Sequence, residues 1–378
     1  MPDYCINIRN NNELSIINKI QISEILVESD AFSFAGEIND EKLIQCFSEL
    51  QQFGKKPVLV WDLLSKDDQL SQKKDLLDRI INRVVAIRFR DPGVGLFIKE
   101  LYPSIPLQFS TEHCYQNNLG VIEWVETFKP MLSRIVFSNQ VPLAAINSVR
   151  NKIDVEVELL GVGPLEIFYS GRDLLANLPL NEQNIQRKLE TASLDRPEQI
   201  SNVISNAKGT KIFYDKVLFT LEEAETLQAS GINMLRLDLS SFSQFQLLAD
   251  YYPDADWISL LKKSESKKTT IGFLNRNHTD NPFKKLTNQF LKKEIQNRIG
   301  LVLESVKNSY TLIRLIQPVK LPMVFNFFSP EGRVIKLKVC ELKSLQGKKF
   351  EKVAPKGLYI HHWIKYTVPM SLIKTSGN

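Results

Sequence analysis

The sequence predicts an α/β fold: a TIM-like (β/α)8 barrel followed by a small all-β, barrel-like C-terminal domain. Three observations carry that expectation. Over roughly the first 250 residues, about eight short apolar, β-branched runs alternate with helix-length amphipathic stretches. At SESKKTT (264–270) the texture changes to a polar, lysine-rich linker, and short strands with turn signals follow. The charge divides at nearly the same place: residues 262–378 hold 23 Lys+Arg against 7 Asp+Glu, whereas 1–261 hold 25 against 36.

The strand candidates, in order, are 5–8, 24–27, 58–63, 84–89, 106–109, 134–137, 155–160 and 234–237. Helical patterns lie between them. In NDEKLIQCFSELQQFG (39–54), Asn39 or Asp40 can cap, apolar residues recur at spacings of three and four, and Gly54 ends the helix. LEEAETLQASG (221–231) ends in the same way at Gly231. A doubly wound open sheet is the alternative, but no glycine-rich dinucleotide fingerprint follows the first strand and no phosphate loop is present. The second domain is read from RIGLVLESVKNSYTLIRL, PMVFNFFSPEGRVIKLKV and GLYIHHWIKY, with a clear turn at Ser329-Pro330-Glu331-Gly332. The expected boundaries are 1–262 for the barrel and 263–378 for the β domain.

With 378 residues, 43% of them hydrophobic, the chain can bury a sizeable core. No apolar run approaches the roughly 18 residues of a membrane span. MPDYCINIRN lacks the basic and apolar regions of a signal peptide. Cys5, Cys46, Cys114 and Cys340 are scattered, without metal-ligand spacing, which points to free thiols in a reducing, cytoplasmic compartment. An acidic body with a basic tail points to an acidic partner, here RNA. Docking of that basic face on the acidic body stays open beside it.

Six stretches in order carry a resemblance. They are AIRFRDPGVGLFIKELYP (86–103), QFSTEHCYQNN (108–118), RIVFSNQVPL (134–143), VEVELLGVGPLEIFYSGRDLLAN (155–177), INMLRLDL (232–239) and GFLNRNHTDNPFKKL (272–286). Together they resemble the collagenase-like peptidase family U32, over nearly the whole length. The resemblance implies a TIM-like barrel with an accessory β domain. It also implies relatives that hydroxylate RNA bases or ubiquinone precursors, with a carboxylate metabolite as co-substrate in the RNA branch. Relatives are thought to hold an iron–sulfur cluster on four cysteines, two of which fall at Glu166 and Asp173 here. The segment NEQNIQRKLETASLDRPEQ that follows has no cysteine, the family histidine is Val162, and the family "RE" is Asn139-Gln140. A cluster needs soft thiolates, so the expectation is a divergent member with no cofactor.

In barrels, functional residues sit at the C-terminal strand ends. That rule selects Asp62, Asp91, Ser110, Thr111, Glu112, His113, Asn139, Ser170, Arg172, Arg236 and Asp238. Asp91, Ser110, Asn117, Glu158, Ser170, Arg172, Arg236 and Asp238 also stand where the family pattern has like residues. Three chemistries compete. Glu166 and Asp173 with Glu158 could build a hard-oxygen metal site, but the expectation is none. Ser110 or Ser170 could act as nucleophile with His113 as base and Glu112 orienting its imidazole, as a peptidase-like hydrolase requires, with Asp91 a further catalytic candidate. Arg172 and Arg236, with Glu158, Asp173, Asp238 and Asn117, could hold a small anionic ligand. Against that stand internal pairs, Arg172 with Asp173 or Glu166 and Arg236 with Asp238.

In the β domain, Lys284, Lys285, Lys292, Lys293, Lys336 and Lys338 interleave with Phe283, Phe290, Phe327 and Phe328, a pattern suited to single-stranded nucleic acid. The leading expectation is an RNA-modification or accessory protein that binds RNA through this domain. The alternatives are a peptidase-like hydrolase and a non-catalytic subunit of a cluster-bearing paralogue. Whether the chain is an enzyme at all stays open at this level.

Overall fold

The computed structural model describes residues 2–112, 117–177, 187–193, 196–275, 298–329, 333–369 and 371–375. Contacts divide the chain into two compact units, Met1–Asn277 and His278–Asn378.

Eight parallel strands close the barrel of the first unit: β1 (Asp3–Ile8), β2 (Glu24–Glu28), β3 (Lys56–Trp61), β4 (Ala86–Phe89), β5 (Leu107–Ser110), β6 (Leu132–Val136), β7 (Glu156–Ser170) and the last barrel strand (Met234–Leu237). The last strand pairs with both β1 and β7, which completes the ring. All eight strand candidates read from the sequence are present. Helices α1 (Asn11–Ile17), α2 (Asp40–Gln52), α3 (Asp67–Ile80), α4 (Pro92–Leu101), α5 (Asn118–Phe128) and α6 (Leu143–Arg150) follow the first six strands. Asn39 caps α2 by accepting from the Lys42 amide, and Gly54 takes φ +69° just past its end. The outward strand residues and inward helix faces form one apolar core around the ring, including Trp61, Phe89, Phe109, Phe128 and Trp257.

One feature departs from the simple alternation. β7 is 15 residues long, and its second half leaves the ring and pairs antiparallel with a later strand. The chain then adds β8 (Arg187–Ser193), β9 (Arg196–Asn206) and β10 (Gly209–Phe219), which form an antiparallel arm on β7 before the last barrel strand, β11, is laid down. Gly163 makes the departure possible. Its φ is +151°, and a Cβ there would lie 2.7 Å from Asp238 at the end of β11. Helices α7 (Ala224–Ala229), α8 (Phe242–Tyr251) and α9 (Trp257–Ser264) complete this unit, with β12 (Thr269–Thr270) paired to β10. No helix among the described residues is long and apolar enough to cross a membrane.

The second unit is a curled antiparallel sheet, a half-barrel. Its strands are β13 (Arg298–Val306), β14 (Tyr310–Leu315), β15 (Val319–Lys320), β16 (Met323–Phe328), β17 (Val334–Val339), β18 (Leu342–Ser344), β19 (Lys349–Phe350), β20 (Val353–Ala354), β21 (Gly357–His362) and β22 (Leu372–Thr375). The main sheet runs β17-β16-β22-β13-β14-β21-β18-β19. One face is its core, with Phe325, Phe327, Ile313, Leu315, Val339 and Ile373 buried together.

Candidate functional site

Parallel strands place alternate residues inside the ring. In Ile87-Arg88-Phe89-Arg90, the two apolar residues join the outer core, so the two arginines face inward. Glu156 and Glu158 alternate in the same way on β7. One part of the barrel interior is therefore apolar, built from Cys5, Leu26, Val58, Val60, Ala86 and Met234. The other part is charged. Arg88 donates to both oxygens of Glu158, at 2.7 and 2.5 Å, and to Gln108 at 3.0 and 2.8 Å. Arg134 pairs with Glu24, with Glu156 at 2.7 Å and with Glu158 at 3.3 Å. Burial opposes the Glu158 charge, but Arg88, Arg134 and Arg236 outweigh it and hold this carboxyl below its ordinary range.

Above this network, at the C-terminal ends of the strands, lies a cavity of about 760 Å³. Its wall includes Arg9, Glu28, Asp62, Arg90, Ser110, Glu112, Asn139, Glu166, Lys211, Arg236 and Asp238. Three ion-pair groups build it. Arg90 meets Glu166 at 3.3 Å and Asp62 at 3.8 Å, and Lys211 meets Asp62 at 2.8 Å and Glu166 at 3.2 Å. Arg90 and Lys211 also lie 5.0 and 5.4 Å from the Tyr169 ring centroid. The second group joins Arg9 to Asp238 and, at 3.2 Å, to Glu28. The third joins Arg236 to Glu112, with Glu158 at 3.8 Å. Burial pushes against the Lys211 charge, yet Asp62 and Glu166 keep its ammonium above the ordinary lysine range. The Nε atoms of Arg90 and Arg236 are buried with no hydrogen-bond partner among the described residues. Both arginines line the cavity, and a guanidinium there is suited to a carboxylate or phosphate acceptor.

The strand-end rule brings Asp62, Ser110, Glu112, Asn139, Arg236 and Asp238 to this one cavity. It places others elsewhere. Asp91 caps α4, accepting from the Gly93 amide at 2.9 Å and the Ser65 amide at 3.3 Å. Asn117 caps α5 through the Gly120 amide at 2.6 Å. The Thr111 hydroxyl donates to the Val136 carbonyl. Ser110 Oγ donates to Glu112 at 3.2 Å, Ser170 Oγ accepts from the Arg172 amide at 3.2 Å, and His113 lies outside the described residues. Lys336 and Lys338 are exposed on β17, while Lys284, Lys285, Lys292 and Lys293 lie outside the described residues.

The internal pairs differ from those the sequence suggested. Arg236 takes Glu112 rather than Asp238, which goes to Arg9. Glu166 takes Arg90 and Lys211. Asp173 takes Arg187 at 2.6 Å and the Ser205 hydroxyl at 2.6 Å. Arg172 is exposed, and its backbone carbonyl accepts from the Thr210 hydroxyl at 2.9 Å. Each of Glu158, Glu166 and Asp173 is thus held by its own set of cations. Arg9, Arg90 and Lys211 escaped sequence reasoning. The I-R-F-R alternation is the signal that could have found Arg90, because charge at every second position of a barrel strand points into the ring.

The iron–sulfur cluster that the family resemblance implies does not fit these donors. Positions 166 and 173 carry carboxylates already engaged by cations, and a cluster takes thiolates. Of the described cysteines, Cys5 and Cys46 are buried and Cys340 is in the second unit. Cys5, Glu24 and Glu158 do place donor atoms within 4.8 Å of one another, but Arg88 and Arg134 already pair with the two carboxylates.

The chain is 20% identical over 361 residues to tRNA hydroxylation protein P of Escherichia coli (strain K12), covering 79% of each chain. It is 22% identical over 212 residues to tRNA hydroxylation protein P2 of Bacillus subtilis (strain 168), covering 54% of this chain and 68% of that one. It is 28% identical over 145 residues to tRNA hydroxylation protein P of Haemophilus influenzae, covering 37% of this chain and 30% of that one. Residues 28–281, from the end of β2 through the whole cavity wall that follows it, match the family described as Peptidase family U32. With the barrel, the arm on β7 and the cavity all inside or bordering that span, the chain belongs to peptidase family U32.

Proposed function

We propose that this protein takes part in RNA modification of the hydroxylation type, in the cytoplasm, with a small anionic ligand at the barrel mouth and RNA on the second unit. The observation that carries the reading is the placing of two arginines, Arg90 and Arg236, on the wall of one cavity of about 760 Å³, each with a buried Nε that makes no hydrogen bond among the described residues. That volume suits a small molecule. The guanidinium fork suits a carboxylate. The names of the relatives supply the reaction class. The basic excess of residues 262–378 supplies an electrostatic footprint for RNA.

The chain's own part is to bind and orient: Arg90 and Arg236 hold the anion, and Glu166, Asp62 and Glu112 fix the forks that hold it. The test is the nucleoside composition of tRNA, by mass spectrometry, from cells with and without the gene. Loss of a hydroxylated nucleoside on deletion, restored by the wild-type chain and not by Arg236→Met, is the expected result. Unchanged tRNA nucleosides would overturn the reading.

A further inference from the structure

The outer face of the second unit's sheet carries an ordered row of side chains. Strand registers pair Lys336 on β17 with Asn326 on β16, Asn326 with Lys374 on β22, and Lys374 with Arg298 on β13. Residues paired across neighbouring strands share a face, so these four form one line across four strands. Strands lie about 4.8 Å apart, which makes the line about 14 Å long. The neighbouring line runs Val334–Phe328–Leu372–Leu301–Arg314. Phe328 is half-buried there, with the Lys374 ammonium 5.2 Å from its ring centroid. The opposite face holds Phe325, Phe327 and Ile373, fully buried in the core. Phe328 is therefore on the other side of the sheet from its neighbour Phe327.

Lysines on an edge strand usually guard against edge-to-edge pairing. That explains Lys336 and Lys338 on β17, which ends the sheet. It does not explain Lys374, Arg298 and Arg314, which stand on central strands with both edges already paired. Glu304 on β13 stands beyond both lines and accepts from the Tyr310 hydroxyl at 2.6 Å.

We propose that this face is the docking surface for single-stranded RNA: Lys336, Lys374 and Arg298 take successive phosphates, and an unpaired base stacks on Phe328. The inference rests on the RNA reading above and deepens it. Charge complementarity selects a polyanion, and the half-buried ring beside the cations selects an unpaired base over a duplex. A protein partner of acidic character would want the cations without the ring.

The test uses the full chain and a short fluorescein-labelled oligouridylate, with anisotropy read across a salt series. Lys336→Ala/Lys374→Ala is expected to weaken binding at least tenfold and to flatten the slope of log K against log salt by roughly 0.7 for each phosphate no longer neutralised. Phe328→Leu is expected to weaken binding roughly 5- to 100-fold with the slope unchanged. Lys352→Ala, the loss of one positive charge away from both lines, is expected to change little. Circular dichroism and Tm of each variant show whether it remains folded. Wild-type binding by the double variant overturns the proposal. An equal loss from Lys352→Ala also overturns it, since diffuse charge would then suffice. If tRNA hydroxylation depends on the chain while these variants bind normally, the face is wrong and the functional reading stands. If the variants behave as expected and tRNA nucleosides are unchanged on deletion, the face stands and the functional reading falls.

Discussion

Glu158 and Arg88 meet inside the barrel with both partners essentially removed from water, at 2.7 and 2.5 Å, although 70 residues separate them in sequence. Arg134 and Arg236 also approach this carboxylate, at 3.3 and 3.8 Å. A buried ion pair adds little over a well-packed apolar pair, but removing one partner strands the other. Glu158→Gln leaves this part of the interior with too much positive charge. The expected cost is roughly 3–5 kcal/mol, on the order of 10 °C in Tm for a unit of this size. Calorimetry checks it, and a Tm within a degree or two of wild type would contradict the role assigned to Glu158.

Asp62 gives the mouth an acid-dependent component. Burial alone would raise its pKa, but Lys211 and Arg90 pull it from 3.8 down to about 2. A carboxyl depressed on folding stabilises above its unfolded pKa and loses that contribution as pH falls through the folded value. The stabilisation is therefore complete above about pH 4 and is lost between about pH 4 and pH 2. Urea titrations of wild type and Asp62→Asn should differ in stability above that window and converge below it. A constant difference across the window would remove Asp62 as its source.

For Lys73 on α3 the charged form is instead the disfavoured one. Its ammonium donates to the Ala31 carbonyl and sits 5.3 and 5.1 Å from the ring centroids of Phe32 and Trp61. Burial, helped by Lys208, lowers its pKa from 10.5 to about 8. Below that value the folded state carries an unfavourable buried charge, so stability rises as pH increases from about 8 to 10.5. The amine should also acylate with a pH midpoint about two units below that of the exposed lysines. Mass spectrometry of the chain after brief treatment with acetic anhydride at several pH values reads that midpoint.

A small dicarboxylate such as malonate should stabilise the chain if the mouth holds an anion. At a hundredfold excess over Kd the gain is about 2.7 kcal/mol. Arg236→Lys keeps the charge but removes the guanidinium fork and its Nε. This variant should keep most of the wild-type Tm without ligand and lose most of the malonate shift. An unchanged shift would take Arg236 out of the ligand's path.

Freshly purified protein should be colourless, with iron and acid-labile sulfide far below one equivalent, because positions 166 and 173 offer carboxylates to a cluster that takes thiolates. Stoichiometric iron and sulfide would show that other donors serve. Asp173→Ala, for its part, should loosen the arm on β7, since Asp173 ties Arg187 and Ser205 to the turn that follows β7. Faster proteolysis within residues 187–206, with little change in the Tm of the barrel, is the expected signature.

The amino-acid order by itself determined the ring of eight strands, the helices between them, the β-rich second unit and the absence of cysteine at the two family positions. Those properties depend on short-range periodicity, capping and residue type, each of which can be read within a dozen residues. It also marked Ser110, Arg236 and Asp238 as strand-end residues, because a barrel's connectivity fixes which end of each strand opens to a ligand. Tertiary structure alone decided which charge answers which. Arg90 with Glu166, Arg134 with Glu24 and Arg236 with Glu112 are 76, 110 and 124 residues apart. Burial demands that each charge find a counter-charge, but it does not say which one. That choice is made when the ring closes and β7 leaves it at Gly163 to carry Glu166 over the mouth.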